Sequence, residues 1–334
     1  MVRMGVVGVG RLGSLFARTL ARNPDVDSLA LAGSRPGSAD ELASELSATA
    51  KASALEVFGD VDAVVIAAAT AAHPELILGA AAAGIPMFCE KPITLDLAST
   101  DAAIDLVRAA GVPMQVGFQR RFEPGYRAAR DLVASGAIGD VYLVRTTSLD
   151  PAPSPEAFIT TSGDLFRDLV VHDFDAIRYV TGQEIVEVFA TGATDFPAVE
   201  IYGRHDDLGI GAGTVRLSGG ATGTFGATRH NPAGYDIRME VFGSADSIAV
   251  GWDDRTPIRS VQPGVEPLSG PPYRNFLDRF APAYEAEMNA FVDLVTGRIA
   301  NPCPPEEART AFVAALAAAR SVAERRPVAV AEFS

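Results

Sequence analysis

The segment DLFRDLVVHDFDAIRYV, residues 164–180, sets Asp164, Asp168, His172 and Asp175 at spacings of four, four and three in a chain that has only four histidines. At about 100° per residue these groups share a helical stripe about 80° wide, with Phe166, Val170, Phe174 and Ile177 on another side. Three chemistries are open to such a stripe. Histidine and carboxylates could ligate a metal, a histidine with a carboxylate one turn earlier could exchange a proton near neutral pH, or the stripe could be a solvated face. No further His or Cys is placed to complete a metal site, so no metal is expected, and Asp168 with His172 is read as an acid/base pair.

Two further features carry chemistry. Among 28 basic residues only Lys51 and Lys91 are lysines, and a lysine amine, unlike a guanidinium, can work close to a reacting oxygen. Lys91 lies in FCEKPIT, before a proline and at the carboxyl end of a predicted parallel strand, where ligands sit in open α/β sheets. A cis Lys91-Pro92 bond would make a tight bend aiming the amine into that crevice. The other feature is GVGRLG, residues 8–13, between a predicted strand and a predicted helix. Gly8 permits the tight turn, Gly10 lets a pyrophosphate approach the backbone, Gly13 lets helix and strand pack, and the helix start attracts phosphate. About 20 residues on, where an NAD fingerprint expects Asp or Glu, the chain has GSRP with Ser34 and Arg35. A hydroxyl and a guanidinium would hold a 2′-phosphate that a carboxylate would repel, so NADP is favoured over NAD.

The elements that must position these groups alternate. Strands are predicted at 3–9, 28–33, 62–69, 85–90 and 112–118, separated by apolar-periodic helices, which indicates a doubly wound parallel sheet over residues 1–118. From 119 to 334 the pattern changes. Helices are predicted at about 124–135 and 163–181 around VYLVRTTSL, then β-rich runs joined by SGGA and GSADS, then two C-terminal helices. The fold class expected is therefore α/β, a Rossmann domain plus an α/β domain with a large open, mostly antiparallel sheet. VQPGVEPLSGPP, residues 261–272, reads as a surface loop.

Composition narrows the partners. With 42 acidic residues the net charge is −14, which gives nucleic acid and anionic membranes no basic patch, so a small-molecule partner is expected. Cys89 and Cys303 lie far apart, which suits a reducing cytoplasm. The first residues look like a signal peptide, but Gly5, Gly8, Gly10 and Gly13 suit a turn, and no apolar run reaches the roughly 18 residues that span a bilayer.

GVGRLG, CEKPIT, VGFQRRFEPGY, DLFRDLVVHDFDAIRYVTG, NPAGYDIRMEVFGS and NFLDRFAPAYEAEMNAFVDLVTG together resemble the glucose-fructose oxidoreductase / inositol dehydrogenase (Gfo/Idh/MocA) family along nearly the whole chain, most of all its inositol 2-dehydrogenase branch. The resemblance implies an NAD(P)-dependent oxidoreductase that interconverts a secondary alcohol and a ketone on a cyclic polyol or sugar, assembled as a dimer or tetramer through the second domain's sheet. It implies a catalytic trio of Lys91, Asp168 and His172. His172 would take the hydroxyl proton, Asp168 would orient it, and Lys91 would hydrogen-bond the reacting oxygen. Cofactor contacts would include Gly8, Gly10, Arg11, Leu12, Gly13, Ser34, Arg35, His73, Glu90 and Lys91, and substrate contacts Gln119, Arg120, Asp175 and Tyr235. A non-catalytic, nucleotide-sensing regulator on the same scaffold is the alternative. Three departures stand out: Ala68 and Ala69 replace a family Thr-Pro, Leu149 an arginine, and Asp164 a glycine. The last two bear on which polyol is taken.

Overall fold

The computed structural model describes residues 1–266 and 268–333. Pro267, in the expected surface loop, and Ser334 lie outside the described residues. The chain divides into two compact units, Met1–Gln119 with Pro282–Arg309, and Arg120–Ala281 with Thr310–Ser334.

In the first unit β1 (Val2–Val7), β2 (Val26–Ala32), β3 (Thr49–Ala50), β4 (Ala63–Ile66), β5 (Met87–Glu90) and β6 (Met114–Gly117) form one sheet in the order β3-β2-β1-β4-β5-β6, and every neighbouring pair is parallel. All four residues of β4 are buried, as a strand covered on both faces requires. The helix Arg11–Arg22 turns Gly13, Phe16, Ala17 and Leu20 inward at helical spacing.

The sequence divides between residues 118 and 119, and in the structure residues 282–309 pack with the first unit. Their aromatic side chains explain it. Tyr284 packs edge-on against Phe16 at 6.0 Å and Phe291 lies 5.9 Å from Phe88. The segment also closes the open edge of β6, since Val116 N–H donates to the Cys303 carbonyl (2.9 Å) and the Asn301 amide to the Met114 carbonyl (2.7 Å). An uncovered edge would offer those groups to another chain.

In the second unit β7 (Val141–Leu149), β8 (Ile185–Ala193), β9 (Ile210–Leu217), β10 (Thr222–Thr228), β11 (Asp236–Gly243), β12 (Ser247–Val250) and β13 (Val328–Ala329) form a sheet ordered β12-β11-β7-β10-β9-β8-β13. β7 and β10 run parallel and the other neighbours antiparallel. One face is apolar: Val144 of β7 and Phe225 and Ala227 of β10 are buried, and Phe225 meets Phe174 and Phe166 edge-on at 5.3 and 6.2 Å. The other carries Arg145, Phe189, Thr191 and Arg216, all exposed.

The predicted helix over 163–181 is interrupted. A helix over Glu156–Ser162 ends at Gly163, whose φ of 96° few other residues tolerate. A single wide π-type turn, Phe166–Val170, then leads into the regular helix Val171–Thr181. Such turns carry an extra residue and are frequent at functional sites. Asp168 sits on the wide turn and His172 on the helix beyond it, so one uniform helical stripe does not describe them.

Candidate active site

The turn after β1 is shaped for a dinucleotide. Gly8 has φ +97°, and a Cβ there would come within 2.5 Å of the Ala67 carbonyl. At Gly13 a Cβ would collide with the Gly8 carbonyl oxygen, and at Gly10 it would meet nothing within 4 Å. Strand and helix are therefore pressed together while space stays open over the turn. Gly10 caps the helix Arg11–Arg22 without a side-chain hydrogen bond, and the first turn holds no acid. Open space and uncapped N–H groups fit the pyrophosphate of a dinucleotide. Arg11 is exposed and Leu12 half-buried beside it, and Ser34 and Arg35 are exposed in the turn after β2, where the Ser38 hydroxyl donates to the Arg35 carbonyl (2.6 Å).

At the carboxyl end of β5 the Lys91-Pro92 bond is cis. His73, expected to touch the cofactor, is only 1% exposed and faces inward instead. Its Nδ1 lies 3.0 Å from the Pro92 carbonyl and 3.3 Å from that of Ile93, and its Nε2 lies 3.2 Å from the Ala68 carbonyl. The ring thus ties the Lys-Pro bend to the loop after β4. Burial lowers its pKa, against the pull of those carbonyls, and favours the neutral imidazole.

Glu90 has a buried Oε1 that accepts no hydrogen bond, close against Gly117. Burial pushes its carboxyl up to about 7, opposed by the charge and backbone N–H of Lys91. The neutral acid is thus the form the fold prefers. Its contribution to stability is complete below the ordinary value near 4.5 and is lost as the pH rises through about 7. Glu90→Gln, neutral at every pH, is expected to melt above the wild type at about pH 8 and level with it at about pH 5. A pH-independent difference in melting temperature contradicts this.

In the second unit each acid of residues 164–175 meets an arginine. Asp164 Oδ1 accepts from the Arg167 backbone N–H (2.8 Å) and Oδ2 from its Nε (3.0 Å), so this acid caps the wide turn. Asp168 Oδ2 lies 2.9 Å from Arg229 Nη1. Asp173 Oδ1 accepts from Arg120 Nη1 and from the Ser148 hydroxyl, both at 2.8 Å. Asp175 accepts from Arg121 Nη2 (2.6 Å) and Nε (3.0 Å). His172, on the helix one turn after Asp168, is 8% exposed.

All four residues expected to contact substrate, Gln119, Arg120, Asp175 and Tyr235, are buried. Asp175 is 0% exposed with both oxygens engaged by Arg121, and Arg120 is committed to Asp173 and Ser148. The Arg120 Nε, also buried, has no hydrogen-bond partner. Gln119 is also buried, and Tyr235 packs edge-on against Phe280 at 6.4 Å, with burial pushing its phenol up so that it keeps its proton. Among the described residues no three His, Cys, Asp or Glu side chains gather as a metal site.

Sequence reasoning missed Arg121, Asp150, Asp173 and Arg229. A signal existed for two of them. Gly223, Phe225 and Ala227 of β10 face inward, and the same alternation continues to Arg229; Val144, Thr146 and Ser148 of β7 likewise lead to Asp150. β7 and β10 pair Ser148 with Ala227, so both parities arrive side by side.

Comparison with known proteins supplies the remaining observations. Residues 2–118 match an oxidoreductase family with an NAD-binding Rossmann fold, and residues 126–249 match the GFO/IDH/MocA C-terminal domain. The chain is 39% identical over 324 residues to the myo-inositol dehydrogenase Hyg17 of Streptomyces leeuwenhoekii, covering 95% of this chain and 96% of that one. It is 33% identical to an inositol 2-dehydrogenase of Rhizobium meliloti, over 99% of both. Among solved structures it is similar to scyllo-inositol dehydrogenase from Lactobacillus casei with bound NAD(H) and scyllo-inositol, at TM-score 0.88 and 30% identity over 99% of each chain. No helix among the described residues is long and apolar enough to cross a membrane.

Proposed function

The chain belongs to the Gfo/Idh/MocA family of oxidoreductases, and from that premise we propose that it is an NAD(P)-dependent dehydrogenase of cyclic polyols, interconverting a ring secondary alcohol and its ketone, with an inositol as the leading substrate. The observation that carries this reading is the fit of the Gly8-Gly10-Gly13 turn to a dinucleotide in a chain that also carries Lys91, Asp168 and His172.

When bound, the nicotinamide accepts the hydride from the alcohol carbon. The protein's own part is the proton and the charge. His172 accepts the hydroxyl proton as the carbonyl forms, which requires a neutral imidazole at the outset. Asp168 supports the imidazolium that results. Lys91 donates a hydrogen bond to the reacting oxygen and stabilises the negative charge that develops there. In the reverse direction His172 returns the proton and Lys91 polarises the ketone. Gln119 and Tyr235 are assigned to the polyol-facing side, whereas Asp175 and Arg120 are assigned to holding residues 119–122 on the helix Val171–Thr181.

NADP is the preferred cofactor in this reading, because the turn after β2 offers Ser34 and Arg35 and no carboxylate. Arg35→Asp is expected to swing the ratio of kcat/KM for NADP over NAD by about tenfold or more toward NAD, through lost pairing and added repulsion. An unchanged ratio contradicts the assignment. The exposed face of the second unit's sheet, with Phe189 and Thr191 among charged neighbours, is assigned to self-association as a dimer or tetramer. The buried thiols of Cys89 and Cys303 suit a reducing compartment, the cytoplasm. The function is tested by incubating purified protein and NADP or NAD with inositols, aldoses and keto-sugars while following nicotinamide absorbance. Turnover with an inositol supports the assignment; cofactor binding without turnover of any member points to a regulator.

A further inference from the structure

Arg229 has no part in the expected catalytic set, yet it is the cation that Asp168 meets. It follows β10, is 3% exposed, and its guanidinium stacks over the Tyr202 ring at 5.6 Å. One nitrogen, Nη1, lies 2.9 Å from Asp168 Oδ2 and 3.4 Å from Asp150 Oδ2. Two carboxylates thus share one buried cation. A third, Asp207, is 5% exposed and interacts electrostatically with both Arg229 and Asp164. Its Oδ1 accepts the Leu165 backbone N–H at 2.8 Å, at the entry to the wide turn. Asp164 and Arg167 form their own pair on that turn. Asp168 and Asp150 thus meet Arg229 directly, and Asp207 acts on the same guanidinium through its charge.

We infer that Arg229 is a positioning residue of the dehydrogenase reaction. It holds the Asp168 carboxylate in place, and Asp150, by competing for the same nitrogen, sets how much of that cation Asp168 receives. The inference rests on the dehydrogenase reading for its consequence and on this geometry for its existence. The sign follows from charge. Without the guanidinium, Asp168, four positions before His172, carries its charge with less compensation, the imidazolium is favoured, and His172 becomes a working base only at higher pH. Loss of the Asp150 carboxylate acts the other way, since it removes the acid that shares Nη1 with Asp168.

The test uses the full-length protein with 15N-labelled histidine, in which the His172 resonance is identified by its loss in His172→Ala. Arg229→Gln is expected to raise the His172 titration midpoint by about one pH unit, and Asp150→Asn to lower it. The acidic limb of kcat for polyol oxidation moves in the same direction in each case, while KM for the polyol changes by less than about threefold. Arg229→Lys, which keeps a cation but not the planar guanidinium that stacks over Tyr202, returns the limb toward its wild-type position with kcat still reduced. If Arg229→Gln does not fold, the opposite expectations for Asp150→Asn and Arg229→Lys decide the question. A His172 midpoint unmoved in the folded variants overturns the inference. Midpoints that move as expected in a protein that oxidises no polyol overturn the dehydrogenase reading and leave the Arg229 link standing.

Discussion

His172→Ala is expected to lower kcat for polyol oxidation by about 10²- to 10⁴-fold, the range for loss of a positioned general base. The size of the loss follows from the chemistry. A secondary alcohol gives up hydride readily only as its hydroxyl proton departs, and alanine leaves that proton to water in a part of the protein where the histidine itself is 8% exposed. The loss belongs to kcat rather than to affinity, because the imidazole is asked to act as the bond breaks. Affinity for the reduced cofactor should stay within about twofold, since the dinucleotide turn is built from residues 8–13 of the other unit. Steady-state kinetics with a fluorescence titration of the cofactor checks both parts. A variant with near-normal kcat removes His172 from the mechanism.

Lys91→Ala comes next, with a loss of about 10²- to 10³-fold, comparable to removing one donor that stabilises a developing oxyanion. Only two lysines remain among the 28 basic residues, which makes arginine a sharp control. A guanidinium keeps the charge but brings a larger planar fork to a segment that His73 holds through the Pro92 and Ile93 carbonyls. Lys91→Arg should therefore recover little of the lost turnover. Rescue to within about tenfold of wild type would mean that any cation suffices and that position matters less than stated here.

What could be read from the chain was what depends on near neighbours. Gly8, Gly10 and Gly13 each answer a steric demand set within a few residues, and the cis bond at Lys91-Pro92 depends on a local proline. VYLVRTTSL, the run between two predicted helices, is the strand Val141–Leu149. The pairing of charges did not announce itself. Arg120 finds Asp173 across 53 positions and Arg121 finds Asp175 across 54, and with so many arginines no local pattern says which acid each will meet. That Asp175 and Arg120 are halves of buried ion pairs was therefore not legible. Periodicity failed twice for a related reason. It shows that Tyr284 and Phe291 turn toward some core, but not toward which of two, and it does not register a wide turn at Phe166–Val170 that leaves the hydrophobic spacing almost unchanged.

Hydride transfer itself is the central claim, and it can be followed atom by atom. scyllo-Inositol deuterated at every ring carbon, incubated with the wild-type protein and oxidised NADP or NAD, should yield reduced cofactor carrying one deuterium per turnover by mass spectrometry, together with an equal amount of ring ketone. His172→Ala should give the same label at a rate lower by the factor expected for loss of the base. Reduced cofactor without deuterium, or bound cofactor that is never reduced by this or any other inositol, would contradict the account.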